Sequence, residues 1–375
     1  MELSEEHKMI KETASSFAEK EIQPIADEID RKDEFPVELF ERFASVGLLG
    51  VIIPEDYGGV GSDILSQVII MEEIAKRSAA VAMSYEELLT TSIYLNGTER
   101  QKKKYLPGFV RGKNIGAFAL TEPNAGSDAL GIKTFAKKEG EYYRLNGTKM
   151  FISNASIANI FLVMAKTDIN NGRRGITAFI VEKDSEGLNV SRKLEKFGMR
   201  GSPTCEVVIR DVKVPQENIL GKVNEGAAVM MSTLDVDRLC IGALALGIAE
   251  AAFSASLKYS KEREQFGKPI SSFQLIKAKL ADMYTNLEAA RLLIYDTALK
   301  ADNGQHIRKE AAATHLFSSE MATKICLDAI QIHGGYGYMI EFPVNRYLRD
   351  IKLTEIGAGT SEIKRLVIAK EILKR

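Results

Sequence analysis

The chain has 375 residues, is 45% hydrophobic and 27% charged, and carries a formal net charge of −1. This length exceeds one simple core and suits two or three domains of a soluble globular protein. Interspersed charges exclude the basic stripe of a nucleic-acid binder and the polybasic tail of a lipid-bound protein, so neither a nucleic acid nor a membrane is an expected partner. The acidic start, Met1-Glu-Leu-Ser-Glu-Glu-His7, lacks a signal-peptide pattern, and no unbroken apolar run reaches the roughly 18 residues of a membrane span. Cys205, Cys240 and Cys326 are far apart with no Cys-x-x-Cys, which suggests reduced, buried thiols and a cytoplasmic location. The four histidines do not cluster at ligand spacing, so no metal site is expected.

Residues 1–112 read as a helical domain. Ile10, Phe17, Ile22, Ile25 and Ile29 recur at helical spacing, Pro54 to Gly61 is turn-rich, and a longer helical stretch runs from Ile64 to a break at Asn96-Gly97. Within that stretch Glu86 and Glu87 are the only charges between Arg77 and Glu99. Residues 113–220 read as a small β-sandwich or barrel, with short strands such as Tyr142–Leu145 before Asn146-Gly147, and Ile176–Val181 after Asn170-Asn-Gly172. Residues 221–375 return to Ala-, Leu- and Met-rich helices, clearest over Glu310–Ile332 and Ser361–Lys374. The chain is thus α+β, a helical bundle interrupted by a β domain.

Four motifs stand in order along this frame. Ala119-Leu-Thr-Glu-Pro-Asn-Ala-Gly-Ser-Asp-Ala-Leu-Gly131 offers hydroxyls and backbone N–H groups suited to a polar heterocycle or phosphate, with Phe151-Ile-Ser-Asn154 downstream. Arg263-Glu-Gln-Phe-Gly-Lys-Pro269 follows, then Gln331-Ile-His-Gly-Gly-Tyr-Gly337, whose Gly-Gly pair lets a pyrophosphate or backbone come close. Last is Arg349-Asp-Ile-Lys-Leu-Thr-Glu-Ile-Gly-Ala-Gly-Thr-Ser-Glu362. Together with Phe35-Pro36 and Tyr57-Gly58-Gly59, these segments make nearly the whole chain resemble the acyl-CoA dehydrogenases.

The resemblance implies N-terminal helices, a middle β domain and a C-terminal four-helix bundle. It implies FAD, a homotetramer in which the dinucleotide touches a neighbouring subunit, an acyl-CoA substrate, and electron-transfer flavoprotein as acceptor. Carried over residue by residue, Leu120, Thr121, Ser127, Phe151 and Ser153 would flank the flavin. Arg263, Phe266 and Gln274 would hold the adenylate side, Gln331, Gly334 and Gly335 the pyrophosphate, and Thr360 and Glu362 would close over the cofactor. Ser127, Asp235, Arg238, Ala358 and Gly359 would meet the substrate. His333 is expected to pack or hydrogen-bond rather than act as a base.

The family reaction removes a thioester α-proton while the β-hydride passes to the flavin. In many members the residue before the Gly-Thr pair is the Glu that takes the proton; here it is Ala358, whose methyl group cannot. A backbone N–H at that position still serves as an oxyanion donor, worth roughly 3–4 kcal/mol of barrier. Isovaleryl- and long-chain-type members carry the base instead before an Arg in a Leu-x-x-Glu-Arg segment. The matching segment is Leu234-Asp-Val-Asp-Arg238, which makes Asp237 the candidate base, roughly 1.5 Å shorter in reach than Glu. The plainer reading of this segment is an Asp235–Arg238 helical pair. Glu86 or Glu87, desolvated in apolar surroundings, is the alternative base, suited to a ring substrate such as a cyclohexane- or cyclohexenecarboxyl-CoA. From a different class stands a flavoprotein of this fold that performs no dehydrogenation.

Overall fold

The computed structural model describes residues 3–374, apart from the side chain of Arg173. The chain opens with α1 (Glu5–Phe17), α2 (Ala26–Lys32), α3 (Leu39–Ser45), α4 (Ile64–Ala75), α5 (Ala79–Tyr85), α6 (Leu88–Asn96) and α7 (Glu99–Val110). Several begin where a short polar side chain accepts an otherwise orphaned backbone N–H: Ser4 caps α1, Asp63 caps α4, Ser78 caps α5, and Thr98 and Gln101 form a capping box on α7. The helical pattern from Glu5 to Ile29 is not one helix. Residues 18–25 pass through a wide and then a tight turn around Pro24, which has no N–H to continue the ladder.

The β domain follows with β1 (Gly116–Ala119), β2 (Phe135–Glu139), β3 (Tyr142–Ser153), β4 (Ile160–Lys166), β5 (Ile176–Glu182), β6 (Leu188–Lys193), β7 (Thr204–Pro215) and β8 (Ile219–Leu220). They form one sheet in the order β6-β7-β3-β2-β4-β5-β8, with β1 parallel to β4. Both faces of β4 are covered: Phe161, Val163 and Ala165 join one hydrophobic core, and Ile160, Leu162 and Met164 join another. Asn146-Gly147, expected to end a strand, instead lies inside β3. The pairing of β3 with β7 shifts register between Leu145 and Gly147, so the dipeptide makes a bulge rather than a hairpin turn.

The remainder is helical: α8 (Gly226–Glu262), a small hairpin of β9 (Glu264–Gln265) and β10 (Lys268–Pro269), then α9 (Gln274–Asp302), α10 (Arg308–His333), α11 (Pro343–Ile351) and α12 (Ser361–Ile372). The α+β expectation, with helices on both sides of a β domain, holds. α8 packs against α4, α9 and α10, and α12 against α10. By length and hydropathy α8 is apolar enough to cross a membrane, a property that a search for unbroken apolar runs passes over; 72% of its most apolar window is buried, as befits a bundle core. Its approach to α4 depends on Gly247, where a Cβ would fall 2.4 Å from the Glu72 carbonyl oxygen.

That contact is reinforced by charge. Glu72 of α4, fully buried, accepts from Tyr295 Oη (2.7 Å) and Arg291 Nε (3.3 Å) of α9, while Lys76, just past α4, and Arg291 both pair with Glu250 of α8. Glu72→Leu would leave the Tyr295 hydroxyl without its acceptor and take one of three carboxylates from Arg291, which keeps Glu250 and Glu288. It is expected to cost about 1–3 kcal/mol, read as a lower urea midpoint of the helical circular-dichroism signal; an unchanged midpoint would remove this network from the account of stability.

Candidate active site

Asp237 lies on α8 and is only 5% exposed. Facing it is Glu86, which sits at a break between α5 and α6 rather than within a helix as the sequence suggested. Tertiary bonds account for the break. Asn154 Nδ2 donates to the Ser84 carbonyl (2.8 Å), Tyr85 Oη to the Leu48 carbonyl (2.6 Å), and Gly50 N to Glu87 Oε1 (2.8 Å). Glu86 then leaves the helical region with ψ 121°, and α6 restarts with Thr91 N bonded to the Glu87 carbonyl (2.9 Å). These bonds outweigh the helix preference of glutamate, which amounts to tenths of a kcal/mol.

The two carboxyls of Glu86 and Asp237 are hydrogen-bonded to each other. Burial, then the Asp237 charge, pushes Glu86 well above the usual carboxylate range. Burial also raises Asp237, but less, because the bond from Glu86 and the charges of Arg238 and Lys364 favour its ionised form. Within the pair the proton therefore favours Glu86 and the charge favours Asp237. Glu87 belongs to a different environment. Its Oε1 is held by Gly50 N, and burial pushes it up to about 7.

Two cations stand behind Asp237. Arg238 pairs with Asp235 (2.9 Å), which also meets Arg308 (3.3 Å), so the i, i+3 ion pair exists beside the candidate base rather than in place of it. Lys364 of α12, 1% exposed, was not singled out from the sequence. Its Nζ donates to the Thr354 carbonyl (2.9 Å) and lies 3.0 Å from His315 Nε2. Burial and then Arg238 bring Lys364 down to about 8, and burial and then Lys364 push His315 well below its usual range, so His315 is neutral. The only sequence signal was position: Lys364 lies one turn into the helix that follows Ala358-Gly359-Thr360. In that loop Ala358 and Gly359 both have positive φ (51° and 95°), and Thr360 caps α12 through Ile363 N (3.3 Å). Glu362 is exposed on the first turn of α12.

The expected flavin-flanking residues come together where β1 runs out and β3 ends. Leu120 and Thr121 are fixed by Lys149 of β3, whose Nζ donates to the Leu120 carbonyl and to Glu122 (both 2.9 Å), and by Met150 N bonded to the Thr121 carbonyl (2.8 Å). Glu122 also accepts from Lys133 N and Thr134 N, which pins the 119–131 loop; Ser127 stands exposed on it. A register shift between Lys149 and Ile152 gives Phe151 a positive φ of 59° and leaves its ring 65% exposed, with Ser153 next to it.

The expected dinucleotide-binding residues gather on the bundle. Arg263, Gln265, His333, Gly334, Gly335 and Tyr336 line a cavity of about 430 Å³. Arg263 lies over the Tyr336 ring at 5.5 Å, and His333 stacks on Tyr259 at 4.3 Å while its Nδ1 bonds the Ala329 carbonyl, a packed role. Gly334 has φ 61°, and a Cβ on either Gly334 or Gly335 would meet open space. Phe266 has φ 54° and is 93% exposed, and Gln274 and Gln331 are also exposed. An upturned aromatic ring beside hydroxyls, with a separate arginine- and glycine-lined cradle, fits FAD: a stacking face for the flavin and open backbone for its pyrophosphate.

Comparison with known proteins agrees along the whole chain. The family models for the acyl-CoA dehydrogenase N-terminal, middle and C-terminal domains match residues 4–113, 117–212 and 224–373. Isovaleryl-CoA dehydrogenase, mitochondrial, of Solanum tuberosum is 45% identical over 372 residues, covering 98% of this chain and 90% of that one. The caffeyl-CoA reductase-Etf complex subunit CarC of Acetobacterium woodii is 45% identical over 379 residues, with both chains covered in full. The structure of butyryl-CoA dehydrogenase from Megasphaera elsdenii superposes with a TM-score of 0.98 at 42% identity, covering all of both chains. The chain belongs to the acyl-CoA dehydrogenase family of FAD-dependent oxidoreductases.

Proposed function

We propose that this enzyme removes the α-proton and β-hydride of a short, branched or cyclic acyl-CoA thioester, with Asp237 as the base, and passes the electrons to electron-transfer flavoprotein. The observation that carries the reading is the Asp237–Glu86 pair: a buried carboxylate held ionised by two cations and a carboxyl neighbour, in a chain whose other expected base position is Ala358. Isovaleryl- and butyryl-CoA, named for two of the relatives, are the first substrates to try, and the Etf-complex relative supports the acceptor. FAD supplies the hydride acceptor. The protein's own residues do the rest. Asp237 takes the α-proton, and Glu86 steadies Asp237 through its hydrogen bond. The turned backbone at Ala358 and Gly359 offers N–H groups to the thioester oxygen. Asp235 and Arg238 fall to the substrate side by the resemblance; their mutual ion pair also fixes the helix that bears Asp237. A homotetramer would bring the Arg263, Phe266 and Gln274 cluster of one subunit to the dinucleotide of another.

A second reading rests on the same pair. Because Glu86 shares its proton with Asp237, transfer of that proton to Asp237 would leave Glu86 as the carboxylate that accepts a proton from a carbon beyond the α-position of a ring substrate such as cyclohexenecarboxyl-CoA. Glu87, held by Gly50, is less available.

Asp237→Asn is expected to slow anaerobic flavin bleaching by about 100- to 10,000-fold with flavin content retained, tested against butyryl-, isovaleryl-, octanoyl-, cyclohexanecarboxyl- and cyclohexenecarboxyl-CoA. Full-rate bleaching would remove Asp237 as the base, and bleaching by the cyclohexene substrate alone would favour Glu86. The pH profile provides a further check. Asp237 works only when ionised, so the rate rises with pH through its ionisation, and burial moves that limb above the ordinary aspartate range near about 4. Lys364→Met withdraws a positive charge that favours the ionised form, so the limb should move up by about one pH unit. A limb that stays in place would mean that Lys364 acts only in packing.

A further inference from the structure

A cavity of about 20 Å³ adjoins Glu86 on the far side of the helix break, walled by Ser84, Glu86, Glu87, Thr90, Asn114 and Asn154 among others. Three oxygens of these residues, Glu86 Oε1, Glu87 Oε2 and Asn154 Oδ1, are sealed from solvent and have no protein partner. Glu87 and Asn154 are only 8% and 5% exposed. A space of this size takes one water, a buried water wants two to four polar partners, and the residues that carry these oxygens all line the cavity. A buried oxygen left unbonded is costly, and one water can donate to two of these oxygens and accept from Glu87 when Glu87 is protonated. The cavity thus joins two carboxyls in series: Glu86, hydrogen-bonded to Asp237, and Glu87, beyond it. Asn114 on the same wall is partly exposed and follows the exposed Lys113.

Each turnover of the proposed reaction leaves a proton on Asp237, in a site where another carboxyl already holds one. We propose that Glu86, one water in this cavity and Glu87 relay that proton from Asp237 to the protein edge at Asn114. The inference rests on Asp237 being the base. Breaking the Cα–H bond leaves its electron pair on the substrate and its proton on Asp237, so the Asp237–Glu86 pair then carries two protons. Glu86 gives one to the water, the water gives one of its own to Glu87 Oε2, and Glu87 releases it past Asn114. The pair returns to one proton, and nothing is oxidised or reduced in the relay. Glu87 suits the last step because burial, opposed by the Gly50 N–H, brings it to about 7, where it both takes and releases a proton near neutral pH.

A purely structural Glu87 would only hold Gly50 N, and Glu87→Gln keeps that acceptor while ending proton transfer. The test is infrared spectroscopy of the substrate-free holoenzyme on transfer into D2O. The carbonyl band of protonated Glu86 is identified as the one that disappears in Glu86→Gln. In the wild-type protein this band should be present and shift as its proton exchanges. In Glu87→Gln the exchange should slow at least about tenfold, and Glu87→Asp should recover part of the rate. Equal exchange in wild type and Glu87→Gln would overturn the relay, as would a wild-type protein with no protonated Glu86 band, or a Glu87→Asp protein as slow as Glu87→Gln. No substrate is present, so this result is independent of whether Asp237 proves to be the base, which the bleaching of Asp237→Asn decides.

Discussion

Two carboxyls in a dry site cannot both be ionised, and much of this structure follows from the one proton that Glu86 and Asp237 must keep between them. A lone buried aspartate would be neutral, and so useless as a base, or would need the full solvation of its charge from the protein. Here the solvation is divided. Glu86 donates a hydrogen bond, while Arg238 and Lys364 supply positive charge. Asp235, which also pairs with Arg308, engages Arg238 in a direct ion pair of its own. The result is an anion stabilised enough to exist and weakly enough to remain basic.

Holding that pair requires rigid elements on both sides. α8 is fixed by its close approach to α4 at Gly247 and by the Glu72, Glu250 and Arg291 charges that tie α4, α8 and α9. On the other side the helix break is held by Asn154, which belongs to the same segment as Phe151 and Ser153. Ser84 Oγ adds a bond to Ser202 Oγ at 3.0 Å, and Asn154 N bonds the Pro203 carbonyl at 2.7 Å. One short β segment therefore carries the aromatic face fitted to the flavin and also fixes the turn that bears Glu86. The Asn154 side-chain amide is a direct link between the two.

The sequence carried the family, the α+β order and the candidate base because these depend on motifs and patterning. The residues that tune this candidate were harder to read. Lys364 is a lysine in an exposed-looking helix, and its burial follows from the packing of α12 on α10, which no local spacing encodes. Glu86 and Glu87 were conspicuous as charges in an apolar stretch, yet their different fates depend on Gly50, Asn154 and Asp237, each distant in sequence. The helix break itself was hidden, since Ser84-Tyr85-Glu86-Glu87 contains neither Gly nor Pro and only tertiary hydrogen bonds interrupt it. Asn146-Gly147 is the reverse case, a strong turn signal overruled by a long β3 paired on both edges.

The short side chain at 237 also becomes intelligible beside Glu86. An aspartate base reaches roughly 1.5 Å less far than a glutamate on the same helix, which at first counts against it. Yet a glutamate at 237 would push its carboxyl toward the space that the Glu86 carboxyl occupies, and a buried site at crystal-like density has no room for an added methylene without displacement. The missing methylene and the added carboxyl are thus complementary: the α8 side chain is shortened where the α5–α6 turn supplies a second acid. On this view Asp237 is not a weakened version of a glutamate base. Taken as the base, it is one half of a two-carboxyl unit whose other half comes from the turn between α5 and α6, and its reach and charge are properties of the pair.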